Sequence, residues 1–203
     1  MIFYLQNLAW RLEDFIAAGG LVMIPLLLIS ILLWVLIINR VIFFHQLYKK
    51  NMSRKEAVAY IEANQMPDPH RHHGAVALLV SAFLRRRSGN PDLDRFILDE
   101  TVVSLVVSLK SYLPLIGVLA AIAPLLGLLG TVTGMLATFD VISVFGTGNV
   151  KALANGISEA LISTQTGLLV AIPGLYMSSF LNRRAENLQN RIAAVAFYLH
   201  RGL

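Results

Sequence analysis

The 203-residue sequence contains no cysteine, and few of its residues carry a charge. Without cysteine the chain cannot form disulfides, use a thiol as a nucleophile or bind a metal through thiolates. Charged residues make up 14% of the sequence, against about 25% in typical soluble domains. Together with a mean hydropathy of +0.66, this scarcity excludes an ordinary soluble domain and indicates an integral membrane protein.

Charge is missing altogether from three long stretches. The longest runs from Ser111 to Phe139, and a membrane-spanning helix needs only about 20 residues. Two further stretches cover 21–38 and 160–182. We therefore predict an all-α integral membrane protein with three transmembrane helices and a helical cytoplasmic segment. No stop signal follows Asp92, so the second span is predicted to be continuous with a long cytoplasmic helix.

Composition divides the chain into seven segments. The middle segment has helix signals typical of soluble proteins, including a capping box at Ser53 and Glu56 and a cap at Asn90 followed by proline. The predicted segments are an amphipathic interfacial helix (1–18), a first transmembrane helix (19–44), a cytoplasmic helical segment (45–110), a second transmembrane helix (111–142), a periplasmic loop (143–156), a third transmembrane helix (157–182) and a cytoplasmic C-terminal helix (183–203).

The basic residues predict the orientation in the membrane. Ten of the 17 lysines and arginines lie in 45–112 and four follow residue 182, with Arg40 at the end of the first span. Only Arg11 and Lys151 fall on the opposite side. The positive-inside rule therefore places the N-terminus in the periplasm and the C-terminus in the cytoplasm. The net charge of +5 is explained by anionic lipid headgroups rather than by nucleic acid.

Small residues recur three or four positions apart along the second and third spans. Such spacing places them on one face of each helix, where another helix can approach closely. Because a short loop joins the two spans, we expect them to pack as an antiparallel hairpin. The predicted packing residues are Gly127, Gly130, Gly134, Gly167, Ala171 and Gly174.

Hydroxyls on these faces are the candidates for a polar path. Thr131 and Thr164 lie on the small-residue faces, where a neighbouring helix comes close, and Glu159 begins the third span. Glu159 could cap that helix or stand at the mouth of a polar path. The interiors of both spans lack carboxylate, His and Lys, and a hydroxyl does not release its proton at physiological pH. A partner helix must then supply the group that carries a proton.

No constellation for catalysis stands out. His70, His72 and His73 resemble metal ligands, but they lie in a proline-rich loop without acids or cysteines at ligand spacing, so a solvated loop explains them better. We find no nucleophile-and-base set and no phosphate-binding glycine loop. We therefore expect no enzyme activity, no cofactor and no metal.

Two motifs resemble a known family. GLLGTVTGML in the second span and ISEALISTQTGLLVAIPG leading through the third are similar to the paired signature of the ExbB/TolQ/MotA proton-channel family, and the three-span size is most similar to ExbB. The resemblance implies a homopentamer around an ExbD-like single-span protein, which supplies the proton-carrying Asp and drives a TonB-like protein for outer-membrane import. It implies a multi-pass protein of the bacterial inner membrane. It also implies that Thr131 and Thr164 line the pore, with Glu159 nearby.

Three alternatives remain open. A TolQ-like or other envelope stator would use the same hairpin for a different task. A non-conducting membrane scaffold would use the small faces and threonines for packing only. A membrane metalloenzyme would need metal bound by the histidine-rich loop.

Overall fold

The computed structural model describes residues 15–16, 18–48, 52–68 and 74–202. These ranges contain α-helices and no β-strand. The predicted helix over 1–18 and the three histidines of the loop lie almost entirely outside them. The described helices are α1 (Met23–Tyr48), α2 (Arg54–Glu62), α3 (Ala75–Arg86), α4 (Pro91–Lys110), α5 (Leu113–Phe145) and α6 (Val150–Gly202), with a single 3-10 turn, Gly146–Gly148, between α5 and α6.

Three helical stretches in the described part of the chain are long and apolar enough to cross a membrane. They are α1, the stretch Pro91–Gly148 that contains α4 and α5, and the greater part of α6. The prediction of an all-α membrane protein with three spanning helices is confirmed.

The helix leading into the second span is interrupted, where we predicted an unbroken one. α4 ends at Lys110, and Tyr112 has a positive φ of 63° before α5 begins. Pro114 has no N–H to donate to the carbonyl of Lys110, which weakens the helix here, and the left-handed backbone of Tyr112 ends it. Arg40 of α1 is 4% exposed, and its guanidinium donates to the carbonyl oxygens of Ser108 (2.9 Å) and Ser111 (2.7 Å). It thereby satisfies carbonyls that the end of α4 leaves unpaired.

α6 is one helix where we predicted a loop, a span and a separate tail. Of the stretch 143–156, residues up to Phe145 continue α5, and α6 begins at Val150. The side chain of Asn149 explains the early start, because its Oδ1 accepts from the N–H of Ala152 at 3.2 Å in the manner of an N-cap. We had assigned this asparagine to the turn-rich loop.

The described chain forms two compact units. The first comprises Met1–Leu36 and Leu115–Ser178. Its core lies where the start of α1 meets α5 and α6, and partly buried Ile16, Leu126 and Ile162 pack against it. The buried members of this core are Val22, Met23, Leu26, Ala123, Val170 and Ala171.

The second unit comprises Ile37–Pro114 and Ser179–Leu203. The predicted capping box is present, because Glu56 N–H donates to the Ser53 hydroxyl (3.3 Å) and Ser53 N–H donates to the Glu56 carboxylate (2.8 Å). Asn90 caps α4 as predicted, accepting from Asp92 N–H at 3.1 Å. The end of α6 buries one apolar face. The residues of that face are Leu181, Ala185, Leu188, Ile192, Val195 and Leu199.

Asp94 fixes the turn between α3 and α4. It is 1% exposed and accepts from the N–H and hydroxyl of Ser88 (2.7 and 3.0 Å), the N–H of Gly89 (3.2 Å) and Nε of Arg87 (3.4 Å). Burial raises the pKa of Asp94. The hydrogen bonds from Ser88, Arg87 and Gly89 together lower this pKa by more than burial raises it, so the net pKa lies below its usual value. Arg87 also donates to the carbonyl of Ile61 at 2.9 Å, which ties the end of α2 to this turn.

Candidate functional site

The second and third spans approach each other backbone to backbone at two glycines. A Cβ atom placed on Gly127 would lie 2.9 Å from the carbonyl oxygen of Ser163 and 3.0 Å from the Cα of Thr164. A Cβ atom on Gly167 would lie 2.7 Å from the carbonyl oxygen of Ala123. Because these neighbours are backbone atoms, they cannot move aside without separating α5 from α6. The close contact therefore needs glycine at both positions.

The other predicted packing residues lie along the same pair of helices. Gly156, which the sequence analysis missed, joins them, and its place in the three-or-four-residue spacing that leads to Ala160 could have revealed it. The contacts pair Gly130 with Ser163, Gly134 with Gly156 and Ala160, and Gly174 with Ala120, while Ala171 lies in the core of the first unit. The small-residue face of α5 thus packs against that of α6 within one chain. The glycines of these faces are therefore not available to line an open pore.

Two neighbouring hydroxyls of α6 reach toward α5. The hydroxyl of Ser163, which is fully buried, donates to the carbonyl of Ala160 at 2.9 Å and lies 3.4 Å from that of Gly127. The hydroxyl of half-buried Thr164 lies 3.2 Å from each of these two carbonyls. Each hydroxyl has one proton to donate and lone pairs left to accept. Thr164 can therefore hold α5 and still accept a hydrogen bond from a water or a partner side chain.

The hydroxyl of Thr131 bonds to its own helix rather than to a neighbour. Thr131 is half-buried and donates to the carbonyl of Leu128 at 2.6 Å. Our expectation that this hydroxyl meets a neighbouring helix is not met within the chain, but its oxygen keeps its acceptor capacity. Bonding to the preceding turn is common for hydroxyls in membrane helices. Other examples here are Thr133 to Gly130 (3.1 Å), Thr138 to Gly134 (2.9 Å) and Thr166 to Ile162 (2.8 Å).

Glu159 lies beside the start of the first span. It cannot cap α6, because α6 begins at Val150 and Glu159 is more than two turns inside it. Its carboxylate instead occupies the space that a side chain on Gly20 would need, and Gly20 has a positive φ of 71°. The carbonyl of Gly20 accepts from Met23 N–H at 3.1 Å, where α1 begins. A carboxylate next to a helix N-terminus is electrostatically favourable.

Gly20 is a second position that the sequence analysis missed. The pair Gly19 and Gly20 before the first span was a visible signal, since glycine before a helix often marks a close approach or a left-handed backbone. The partner of this approach, on a distant part of the chain, could not be identified from that signal.

The hairpin offers hydrogen bonds without a proton carrier in its interior. The stretches 113–139 and 160–182 contain no carboxylate, His, Lys or Arg. Their hydroxyls can orient a water or a carboxylate, but they do not change protonation state at physiological pH. The interior of the hairpin thus offers hydroxyl groups for hydrogen bonding and no side chain that titrates near neutral pH.

Comparison with known proteins assigns the family. The sequence pattern of the MotA/TolQ/ExbB proton channel family matches residues 68–194 of this chain. The chain belongs to this proton channel family. A protein of Synechocystis sp. named ExbB-like 1 is 34% identical over 194 residues, which cover 91% of this chain and 76% of the relative. The resemblance inferred from the two span motifs is thereby confirmed.

Other members of the MotA/TolQ/ExbB family match over shorter stretches. The biopolymer transport protein ExbB of Neisseria gonorrhoeae is 42% identical over 55 residues, 27% of this chain and 25% of the relative. The Tol-Pal system protein TolQ of Haemophilus influenzae is 26% identical over 130 residues, 59% of this chain and 57% of the relative. The family is one of proton channels rather than of enzymes, and both ExbB and TolQ proteins are among its members that match here.

Proposed function

We propose that this chain is the pore and stator subunit of a motor in the bacterial inner membrane that is driven by the proton-motive force. In this proposal five copies surround a single-span ExbD-like protein, and the motor energises a TonB-like protein for outer-membrane import. The observation that carries the proposal is the half-buried hydroxyl of Thr164, held in a hairpin without an internal carboxylate, in a member of a proton channel family.

The proposed mechanism divides the work between two proteins. The partner's aspartate carries the proton, because the interior of the hairpin has no group that can. The hydroxyls of Thr131 and Thr164 accept hydrogen bonds from the protonated aspartate and from its waters, and donate to the ionised carboxylate. The charge of Glu159, at the start of the third span and five residues before Thr164, attracts protons toward the path.

A matched pair of threonine variants tests the role of the hydroxyls. Co-reconstituted with the single-span partner in vesicles, Thr164→Val should reduce proton flux by about tenfold or more, because one hydrogen bond to a charged group is worth about 1.5–3 kcal/mol. Thr166→Val removes a hydroxyl from the same helix that bonds only to the preceding turn, so it should leave the flux unchanged. Equal fluxes from both variants would count against a pore role for Thr164.

The source of the titratable group has a separate test. Vesicles that contain this chain alone should show no proton conductance above empty vesicles, measured with a pH-sensitive dye. Robust conductance by the chain alone would contradict the idea that a partner supplies the carboxylate. Native mass spectrometry of the complex should find five copies of this chain.

The orientation can be measured without background labelling, because the chain has no cysteine. A membrane-impermeant maleimide added to spheroplasts should label Gly148→Cys, which would lie in the periplasm. The same reagent should reach Asp99→Cys only after the membrane is opened. The reverse pattern would overturn the proposed topology.

A non-conducting scaffold is the second candidate. It is favoured by one observation: the hydroxyls of Thr131, Thr133, Thr138, Ser163, Thr164 and Thr166 all bond to carbonyls of the same chain. A Thr131→Ala, Thr164→Ala double variant that assembles and functions normally would support the scaffold and oppose the channel.

A further inference from the structure

A cavity of about 170 Å³ lies in the second unit, between the end of α1 and the middle of α6. Its lining is mostly apolar and aromatic, with one permanent cation. An apolar cavity of about this size can hold a ligand as large as benzene. The lining residues are Val41, Phe44, His45, Phe180, Leu181 and Arg184.

Arg184 lies against two aromatic rings. Its guanidinium carbon lies 4.8 Å from the ring centre of Tyr48 and 5.0 Å from that of Phe180. Its backbone carbonyl accepts from the Tyr48 hydroxyl at 3.3 Å. Among the described residues, the guanidinium has neither a hydrogen-bond acceptor nor a carboxylate partner. Five N–H donors are thus oriented by stacking and remain available for an anion.

A second cation approaches the same ring. The guanidinium carbon of Arg191 lies 5.7 Å from the ring centre of Tyr48. Arg183 directly precedes Arg184 in the sequence. An anion close to Tyr48 would therefore be attracted by several positive charges at once.

The cavity lies where the apolar part of two spans ends. The uncharged stretch 160–182 stops immediately before Arg183, and the uncharged stretch 21–38 ends just before Arg40. Val41 and Leu181 of the lining are adjacent in sequence to these ends. Basic residues directly after a membrane span lie at the level of the lipid headgroups.

We propose that this cavity binds an anionic phospholipid, with the phosphate on Arg184 and part of one acyl chain among the apolar lining residues. Charge complementarity selects an anionic headgroup, and the apolar lining selects a molecule that also has a hydrocarbon chain. The site depends on membrane insertion but not on the proposed ion pathway, whose hydroxyls belong to the other unit. Its failure and the failure of the channel proposal are therefore distinguishable.

Lipid binding to the purified full-length chain in an uncharged detergent tests the site. Native mass spectrometry would count bound dioleoyl phosphatidylglycerol and dioleoyl phosphatidylcholine, which have the same chains and differ in headgroup charge. The wild-type chain should bind the anionic lipid about tenfold more tightly than the zwitterionic one. Arg184→Gln should abolish this preference, since charge-assisted hydrogen bonds to a phosphate are lost, while Arg184→Lys should retain most of it.

Two neighbouring variants serve as controls. Arg183→Gln removes the same charge from an exposed neighbour, so it should weaken binding by no more than about fivefold. Val41→Trp should fill the cavity and weaken binding of both lipids, whereas Ile42→Trp, one position outside the lining, should not. A melting profile without added lipid that matches the wild type would show that each variant is folded.

Three results would overturn the proposal. Equal binding of the two lipids by the wild type would remove the need for an anionic headgroup. Equal losses in Arg183→Gln and Arg184→Gln would mean that diffuse surface charge attracts the lipid. If sn-glycerol 3-phosphate, a headgroup without chains, competed as well as the whole lipid, the ligand would be a free phosphate rather than a phospholipid.

Discussion

Replacing Asp94 by asparagine should loosen the turn between α3 and α4 more than any comparable surface change. The carboxylate is almost fully buried and accepts four hydrogen bonds, one of them from Arg87. Asparagine keeps the shape but turns an NH₂ group toward N–H donors and leaves the guanidinium unpaired. Removing one partner of a buried charge pair costs about 3–5 kcal/mol, and we expect about 3 kcal/mol here because one acceptor oxygen remains.

Hydrogen exchange gives the local measurement. A loss of about 3 kcal/mol should raise the exchange rates of the amides at Ser88 and Gly89 by about 100-fold if they exchange through local opening. Asp92→Asn is the control, because it makes the same change in the same helical turn at a side chain that is 95% exposed. It removes a similar helix-dipole interaction, worth about 0.3–1 kcal/mol, but no buried hydrogen bond. Similar exchange in the two variants would refute the assigned role of Asp94.

The same carboxylate predicts a pH dependence. Because the hydrogen bonds hold the pKa of Asp94 below its usual value, its contribution is fully present above the unfolded-state pKa of about 3.9 and is lost as pH falls through the folded-state pKa. Protection of this turn, corrected for the intrinsic exchange rate, should therefore hold from neutral pH to about pH 5 and decline below about pH 4. Asp94→Asn should show no such decline, and an equally steep one in that variant would assign the effect to another group.

Three further predictions concern the glycines and the buried arginine. Gly167→Ala should destabilise the hairpin by about 2 kcal/mol, measured from the denaturation midpoint, despite a gain in helix propensity of up to about 1 kcal/mol. Gly148→Ala places its methyl group in open space, so it should change that midpoint little. Gly20→Ala should displace the carboxylate of Glu159 and reduce partner-dependent proton flux, while Gly146→Ala, with a similar positive φ and open space, should not. Arg40→Gln should expose the end of α4 to protease, because the hydrogen bonds of the guanidinium to Ser108 and Ser111 are lost; unchanged digestion would contradict this.

Local signals in the sequence predicted local structure well. Ser53 with Glu56, and Asn90 with Pro91, mark helix starts through side-chain hydrogen bonds that reach only two or three residues, so the sequence contains both partners. The three spans followed from the absence of charge, which the membrane itself imposes. The glycine spacing in the second and third spans identified residues that the structure brings into contact.

Features that depend on distant partners could not be predicted in the same way. The interruption before α5 depends on Arg40 as well as on Pro114. No residue near Tyr112 in the sequence indicates that a guanidinium from the first span will donate to the unpaired carbonyls at the end of α4. The approach of Glu159 to Gly20 likewise joins opposite ends of the sequence. Asn149 was ambiguous, because asparagine is favoured both in turns and at helix N-termini.

The hydrogen bonds between Arg40 and the end of α4 have a mechanical consequence. A piston-like shift of the first span by a single residue would move it about 1.5 Å along its axis, enough to stretch a 2.7 Å hydrogen bond beyond its useful range. Two carbonyls at the end of α4 would then lose their hydrogen-bond donor. Force applied to either helix within this unit is therefore transmitted to the other, which makes the arginine a rigid coupling between a membrane helix and the helix that precedes the next span.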